Sequence, residues 1–149
     1  MQETTKDNTI SNVLIEMGRT IEKIGIDDTI DLLKYSRQKI SEISGEDLEN
    51  TNKVVNVVCK IFDISIKEFN SSLRKNNRRY AIGIATQILT DIYGLDISDL
   101  SFLFKKPDGL LSIYRKEIRE LNPKHKVDIK LIEKKELILE HLKNPTLNK

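Results

Sequence analysis

This 149-residue chain contains no tryptophan, one cysteine, three prolines and six glycines, and aromatic residues make up 5% of it. With Cys59 alone, no internal disulfide framework can form. Its neighbours Val55, Val57, Val58 and Phe62 mark the thiol as a buried core group, and no His or second Cys stands near it at ligand spacing. The scarcity of glycine, proline and aromatics removes the signals of a sheet-rich fold, while abundant Ile, Leu, Lys and Glu favour helix. No apolar run approaches the roughly 18 residues that cross a bilayer, so no membrane partner is expected. The polar start MQETTKDNT is unlike a secretory signal, and a cytoplasmic location is expected.

Chemistry-bearing clusters are missing as well. His125 and His141 are the only histidines, and no Asp, Glu, His or Cys residues of metal-ligand spacing surround them. The chain has no G-x-x-x-x-G-K-[ST] loop to cradle nucleotide phosphates and no arrangement that reads as Ser-His-Asp. Carboxylate pairs such as Asp27-Asp28 and Glu46-Asp47 sit at helix beginnings, where they complement the macrodipole. A non-enzymatic protein without metal, cofactor or bound nucleotide is expected.

What is present is a charge asymmetry that the net value of +2 conceals. Residues 1–50 hold six Lys/Arg against eleven Asp/Glu, a balance of −5, whereas residues 51–149 hold nineteen against twelve, a balance of +7. A basic segment attracts phosphates by releasing condensed counterions, and an acidic one is repelled by them and is freer to hold protein.

Apolar periodicity divides the chain into helices. Asn8 or Thr9 can cap a first helix with the stripe Ile10, Val13, Leu14, Met17, Ile21 and Ile24, which Gly25 can stop. Asp27 or Asp28 can cap a second, carrying Ile30, Leu33, Arg37 and Ile40 and ending at Ser44-Gly45. The resulting hairpin cannot bury both stripes alone, and must pack on the rest of the chain or on a second copy. A third helix is expected from about Glu49 to Phe62. Ser65-Ile66-Lys67-Glu68 then has the capping-box pattern and opens a short helix ending near Leu73. A basic run leads into a long helix through about Tyr93, with Ile82, Ala85, Ile88, Leu89 and Ile92 inward. The last helix spans about Asp128 to Leu142, with Ile129, Ile132, Leu137 and Leu139 or Leu142 as its stripe, and Asn144-Pro145 releases a polar tail.

Between these lies the most informative segment. Asp96–Phe104, DISDLSFLF, is followed by Lys105-Lys106 and then by Pro107-Asp108, which opens a helical stretch to Leu121. Helix, tight turn and helix is the arrangement that places one helix in the major groove of DNA. Upstream, Arg74, Lys75, Arg78 and Arg79 can neutralise phosphates, and Asn76 and Asn77 can donate to phosphate oxygens or base edges. Lys105 and Lys106 sit in the turn where phosphate contacts are expected. Arg115, Lys116 and Arg119 fall on the outward side of the helix after it. The plainer reading of these charges is a solvated surface. If about five of the cations meet phosphates, log K against log salt should fall with a slope of about −4 to −5.

From about Asn52 to Lys143 the sequence resembles the C-terminal DNA-binding domain of the bacterial chromosomal replication initiator DnaA. VCKIFDISIKEF (Val58–Phe69) is similar to that domain's opening helix, turn and short helix. RRYAIGIATQI (Arg78–Ile88) is similar to R-Q-[IM]-A-[MI]-x-L-[AS]-x-x-L, and DISDLSFLF matches S-L-P-E-I-G-x-x-F without a gap. VDIKLIEKKELILEHL falls at the family's final helix. The resemblance implies a helix-turn-helix that docks on duplex DNA, without the initiator's ATPase region. Where the family has G-G-R-D-H-T-T-V, this chain has KKPDGLLS, which fits with a one-residue gap. Asp108 stands for the aspartate, while Gly109 and Leu110 supply neither the imidazole nor the hydroxyl contact; Leu110 can offer only apolar contact to a thymine methyl. The family's minor-groove arginine and its proline fall at Asn76 and Asn77.

The expected molecule is therefore all-α: a compact helical bundle with a DnaA C-terminal-like helix-turn-helix (residues 51–143), an acidic N-terminal helical hairpin (1–50) and a polar tail (144–149). Its expected function is binding of double-stranded DNA with phosphate contacts dominant and base readout weak, as a homodimer if residues 1–50 self-associate. The alternative is a protein-interaction module that keeps the fold without sequence-specific DNA binding.

Overall fold

A computed structural model describes the backbone of residues 2–72 and 74–144, and the side chains of residues 10–72 and 74–144. Within them the chain is all-helical, with no strand. The helices are α1 (Gln2–Ile24), α2 (Ile26–Glu42), α3 (Gly45–Phe62), α4 (Ile66–Asn70), α5 (Asn76–Asp91), α6 (Ile97–Phe104), α7 (Asp108–Arg119) and α8 (Lys126–Lys143). The chain divides into two compact units, one ending at Ile43 and the other starting at Ser44.

In the first unit, α1 reaches back to Gln2, so the polar lead is helical rather than a cap at Asn8 or Thr9, whose side chains lie outside the described residues. Gly25 both ends α1 and starts α2. Its φ of 89° lies in the region that glycine enters without penalty, and Asp27 and Asp28 occupy the first turn of α2, where negative charge meets the helix N-terminus. α1 and α2 pack on each other.

The second unit begins with a side-chain cap. The Ser44 hydroxyl oxygen accepts from the Asp47 backbone N–H at 3.0 Å, so α3 starts at Gly45, earlier than the expected Glu49. Glu46 and Asp47, acidic residues of the first fifty, lie in its first turn. Ser65 caps α4 in the same way, accepting from the Glu68 N–H at 3.0 Å, as the capping-box spacing predicts. That helix ends at Asn70; Leu73, its expected end, lies outside the described residues.

α5 is the axis of this unit. Ala81, Ile82, Gly83, Ile84, Ala85, Thr86, Ile88 and Leu89 are all buried, covering more than one face, and α3 and α7 pack against it. A helix segment buried on more than one side, as Ala81–Leu89 is, belongs in the middle of a bundle. Ile92, expected inward, follows the end of α5 and is exposed, because the chain leaves the helix at Asp91 and turns through Gly94 at φ 75°. α7 approaches α5 closely at Gly83, where an added Cβ would stand 2.7 Å from the Tyr114 carbonyl oxygen. Phe69 of α4 and Phe104 of α6 meet edge to face at 5.3 Å.

α8 packs on α3 through Leu131, Ile138 and Leu142, whereas Ile129 and Leu137 are exposed. The expected stripe is therefore only partly right: Leu142, one of its alternatives, is buried, and Leu131 and Ile138 share its face at i, i+7 and i+11 where Ile129 and Leu137 were expected. Cys59 is buried, and burial together with the Glu68 carboxylate raises its thiol pKa to about 11. Among the described residues no helix is long and apolar enough to cross a membrane.

Candidate nucleic-acid interface

Three stretches of backbone build a basic cleft on the second unit: the segment before α5, the first turn of α5, and the turn from α6 to α7. Lys75 precedes α5 as its N-cap residue, φ −111° and ψ 139°, and Asn76 begins the helix. The Asn76-Asn77-Arg78-Arg79 run, expected to lead into the long helix, is thus itself its first turn. α6 stops at Lys105, which adopts the left-handed conformation with φ 55° and ψ 46°. Pro107, with φ −59° and ψ 144°, then launches α7, its fixed φ suiting the position before a helix.

These stretches enclose about 570 Å³, lined by Ser72, Arg74, Lys75, Asn76, Arg78, Arg79, Lys105, Lys106, Pro107, Leu110, Tyr114 and Glu117. Eight residues expected at the site thus come together: six cations, Asn76 and Leu110. Asn77, Asp108, Arg115 and Lys116 do not line the cleft. Asn77 lies with Lys75 and Asn76 on an adjoining surface beside Asp63 and Glu68. Asp108 is exposed in the first turn of α7; Lys116 is exposed and Arg115 half-buried farther along it.

The six cations are not equivalent. Arg74, Lys75 and Lys105 are exposed and Arg79 is half-buried, but Arg78 and Lys106 are buried. The Arg78 guanidinium donates through Nε to the Glu68 carbonyl at 3.1 Å and through its other arm to the Ser71 carbonyl. Lys106 Nζ donates to the same Ser71 carbonyl at 3.3 Å. Both side chains, expected to face phosphates, instead hold the segment after α4 against α5 and the α6–α7 turn. Their positive charge contributes to the cleft from behind. Burial, and the nearby Arg78 charge, lower the Lys106 pKa. The Ser101 hydroxyl, donating to the Lys106 carbonyl, fastens the turn from its other side.

Acidic neighbours moderate the rest. Lys75 Nζ lies 3.6 Å from Glu68 Oε1, and Arg79 Nε lies 3.2 Å from Glu117 Oε2. Arg79 also stacks over the Tyr80 ring at 5.0 Å. Arg119, expected outward with Arg115 and Lys116, pairs with Asp91 at 3.3 Å and ties α7 to the end of α5. Lys116 is 3.9 Å from Glu120. Sequence reasoning missed Ser72, Pro107, Tyr114 and Glu117 as cleft residues. Glu117 could have been found from its i, i+3 spacing to Tyr114, which puts both on the α7 side that faces the first turn of α5.

The N-terminal turn of α5 adds its own partial positive charge, since its first N–H groups have no intrahelical acceptor, and no acidic residue occupies that turn. The arrangement is suited to polyanions that lie across a surface. Among the described residues no three His, Cys, Asp or Glu side chains gather as a metal site. Compared with protein-family models, curated proteins and solved structures, the chain matches none.

Proposed function

We propose that the second unit binds double-stranded DNA as a DnaA C-terminal-like helix-turn-helix, with α6 and α7 as the two helices and phosphate contacts supplying most of the affinity. The observation that carries this reading is the cleft, in which Arg74, Lys75, Arg79 and Lys105 converge from two sequence-distant stretches. Cations that merely keep a chain in solution have no reason to gather at one cleft. The order of sequence matches from Val58 to the last helix supports the same reading. With Arg78 and Lys106 turned inward, about four cations remain for phosphates, and the expected salt slope becomes about −3.5. Self-association, expected of residues 1–50, falls in this proposal to the first unit, ending at Ile43, which exposes Ile10, Val13, Leu14, Ile26, Ile30, Leu33 and Ile40.

A second reading is favoured by Gly109 and Leu110. A recognition helix with no polar side chain at those positions is suited to a protein-interaction module that keeps the fold without reading bases. Electrophoretic mobility shift on mixed-sequence duplex DNA at low and moderate salt separates the two. Retardation that weakens steeply with salt supports the DNA reading, and no retardation at low salt leaves the module.

A further inference from the structure

Among the exposed apolar side chains of the α1–α2 hairpin, one group gathers on a single side, although Ile15 and Tyr35 are exposed elsewhere. The helices run back on each other from Gly25, with Met17 and Thr20 of α1 across from Thr29 of α2, and an apolar cleft of about 410 Å³ opens between them. Ile10, Leu14 and Ile21 lie about a quarter turn round α1 from that contact, and Ile26, Ile30 and Leu33 about a quarter turn round α2 in the same sense. Because the two helices are antiparallel, equal rotations bring both arcs to the same side. These six residues are 36 to 62% exposed.

We propose that a second copy of this chain covers the face, the two hairpins packing about a two-fold axis that runs across the helices, so that each α2 lies antiparallel on its counterpart. The inference rests on the self-association proposed above and adds its geometry. Charge selects the orientation. Flanking the face, the first half of α2 carries exposed Asp27 and Asp31, and its second half carries exposed Lys34 and Arg37 with Glu42 at its end; Asp28 falls on the opposite side of the helix. Antiparallel pairing centred near Leu33 sets each acidic half against a basic half. It also gives a partner to Arg37, the charge that interrupts the apolar stripe, by bringing it within about one helical turn of the level of Asp27 and Asp31 of the partner subunit. A two-fold axis along the helices would instead place α2 opposite α1 and leave this polarity unmatched.

The size fits as well. α2 is 17 residues long, or about 25 Å at 1.5 Å per residue, and two helices side by side are about 20 Å wide, so the face projects to about 500 Å². The accessible area of a corrugated helical face is larger than its projection, which brings it to the order of the roughly 800 Å² per partner of stable interfaces.

The test uses the full chain in three measurements. Sedimentation velocity at tens of micromolar should give a dimer; a monomer overturns self-association and with it the geometry. Under mild oxidation, Leu33→Cys, near the axis, should form a disulfide-linked dimer and Ile26→Cys, at one end of α2, should not. A sedimenting dimer in which Leu33→Cys fails to cross-link, or Ile26→Cys does, overturns the antiparallel arrangement alone. Finally, Asp27→Lys with Asp31→Lys, and separately Lys34→Glu with Arg37→Glu, should each weaken the dimer by about tenfold or more. An equimolar mixture of the two should restore it, and failure to do so counts against α2 facing α2.

Discussion

Lys105 holds a conformation that L side chains seldom adopt, φ 55°, and helix C-termini ordinarily place glycine there. Relief of that strain should make Lys105→Gly more stable by about 1 kcal/mol, seen as a higher urea midpoint. The same substitution removes a cleft cation and should weaken DNA binding, with the salt slope shallower by about 1. A variant less stable than the parent, or one that binds as before, contradicts one half or the other. Gly83→Ala should act in the opposite direction on stability, since its Cβ would meet the Tyr114 carbonyl oxygen at 2.7 Å and Ile118 Cγ1 at 2.9 Å. A loss of about 1 to 3 kcal/mol is expected in urea unfolding. For Cys59, the thiol pKa of about 11 in the fold stands above its ordinary 9.0. The folded chain therefore keeps a proton that the unfolded chain gives up, and this stabilisation is complete below pH 9 and lost as pH rises towards 11. Cys59→Val should lose less stability than the parent between those values, which denaturation at pH 8 and pH 10.5 can measure. At this scale the sequence was partly legible: neighbours predicted the burial of Cys59, and six of the expected cations line one cleft while Arg115 and Lys116 do not. The inward turn of Arg78 and Lys106 was not, because it depends on a carbonyl, Ser71, that only the fold brings within their reach.

Among helix ends with a side-chain mechanism, the cap at Ser65 was legible and the cap at Ser44, expected only to end α2, was not. At Ser65 the hydroxyl and the N–H three residues on are local in sequence. Helix phases set by a partner were harder: in α8 the buried set Leu131, Ile138 and Leu142 is decided by α3, and a helix with apolar residues on several sides offers more than one plausible stripe. α7 is apolar along one side, so its phase is not ambiguous in this way. Its inward face, Leu111 and Ile118, is buried against the core, leaving Gly109, Ser112, Ile113 and Lys116 at least partly exposed. On the DNA reading this outward set, poor in polar groups at its start, should select weakly among sequences. Selection from a random duplex pool should return a modest A·T-rich preference, and recovery of the initiator's own box at a specificity ratio of about a thousand or more would contradict the weak-readout proposal.

For the whole molecule, the division into two units matters because their charges differ in sign. On the proposed reading, a unit with an acidic balance contributes little to a phosphate surface, yet multiplies the affinity of a basic unit by joining two copies of it. When a second DNA contact becomes intramolecular, avidity can exceed single-site affinity by about 10² to 10⁴ without any new contact. The combination Leu14→Glu with Leu33→Glu places two charges on the exposed face of the hairpin and should leave the second unit intact, because both positions belong to the first. It should sediment as a monomer, keep the parent's helical circular dichroism, and bind a long duplex at least tenfold more weakly. Its salt slope should fall to about half that of the dimer, since only one cleft then meets the phosphates. A monomeric variant that binds as tightly and with the same slope would mean that the second copy takes no part in DNA binding. Unchanged sedimentation would instead show that α1 and α2 do not carry the interface. Affinity and slope falling together, with the fold retained, is the pattern expected of two weak readers held on one duplex.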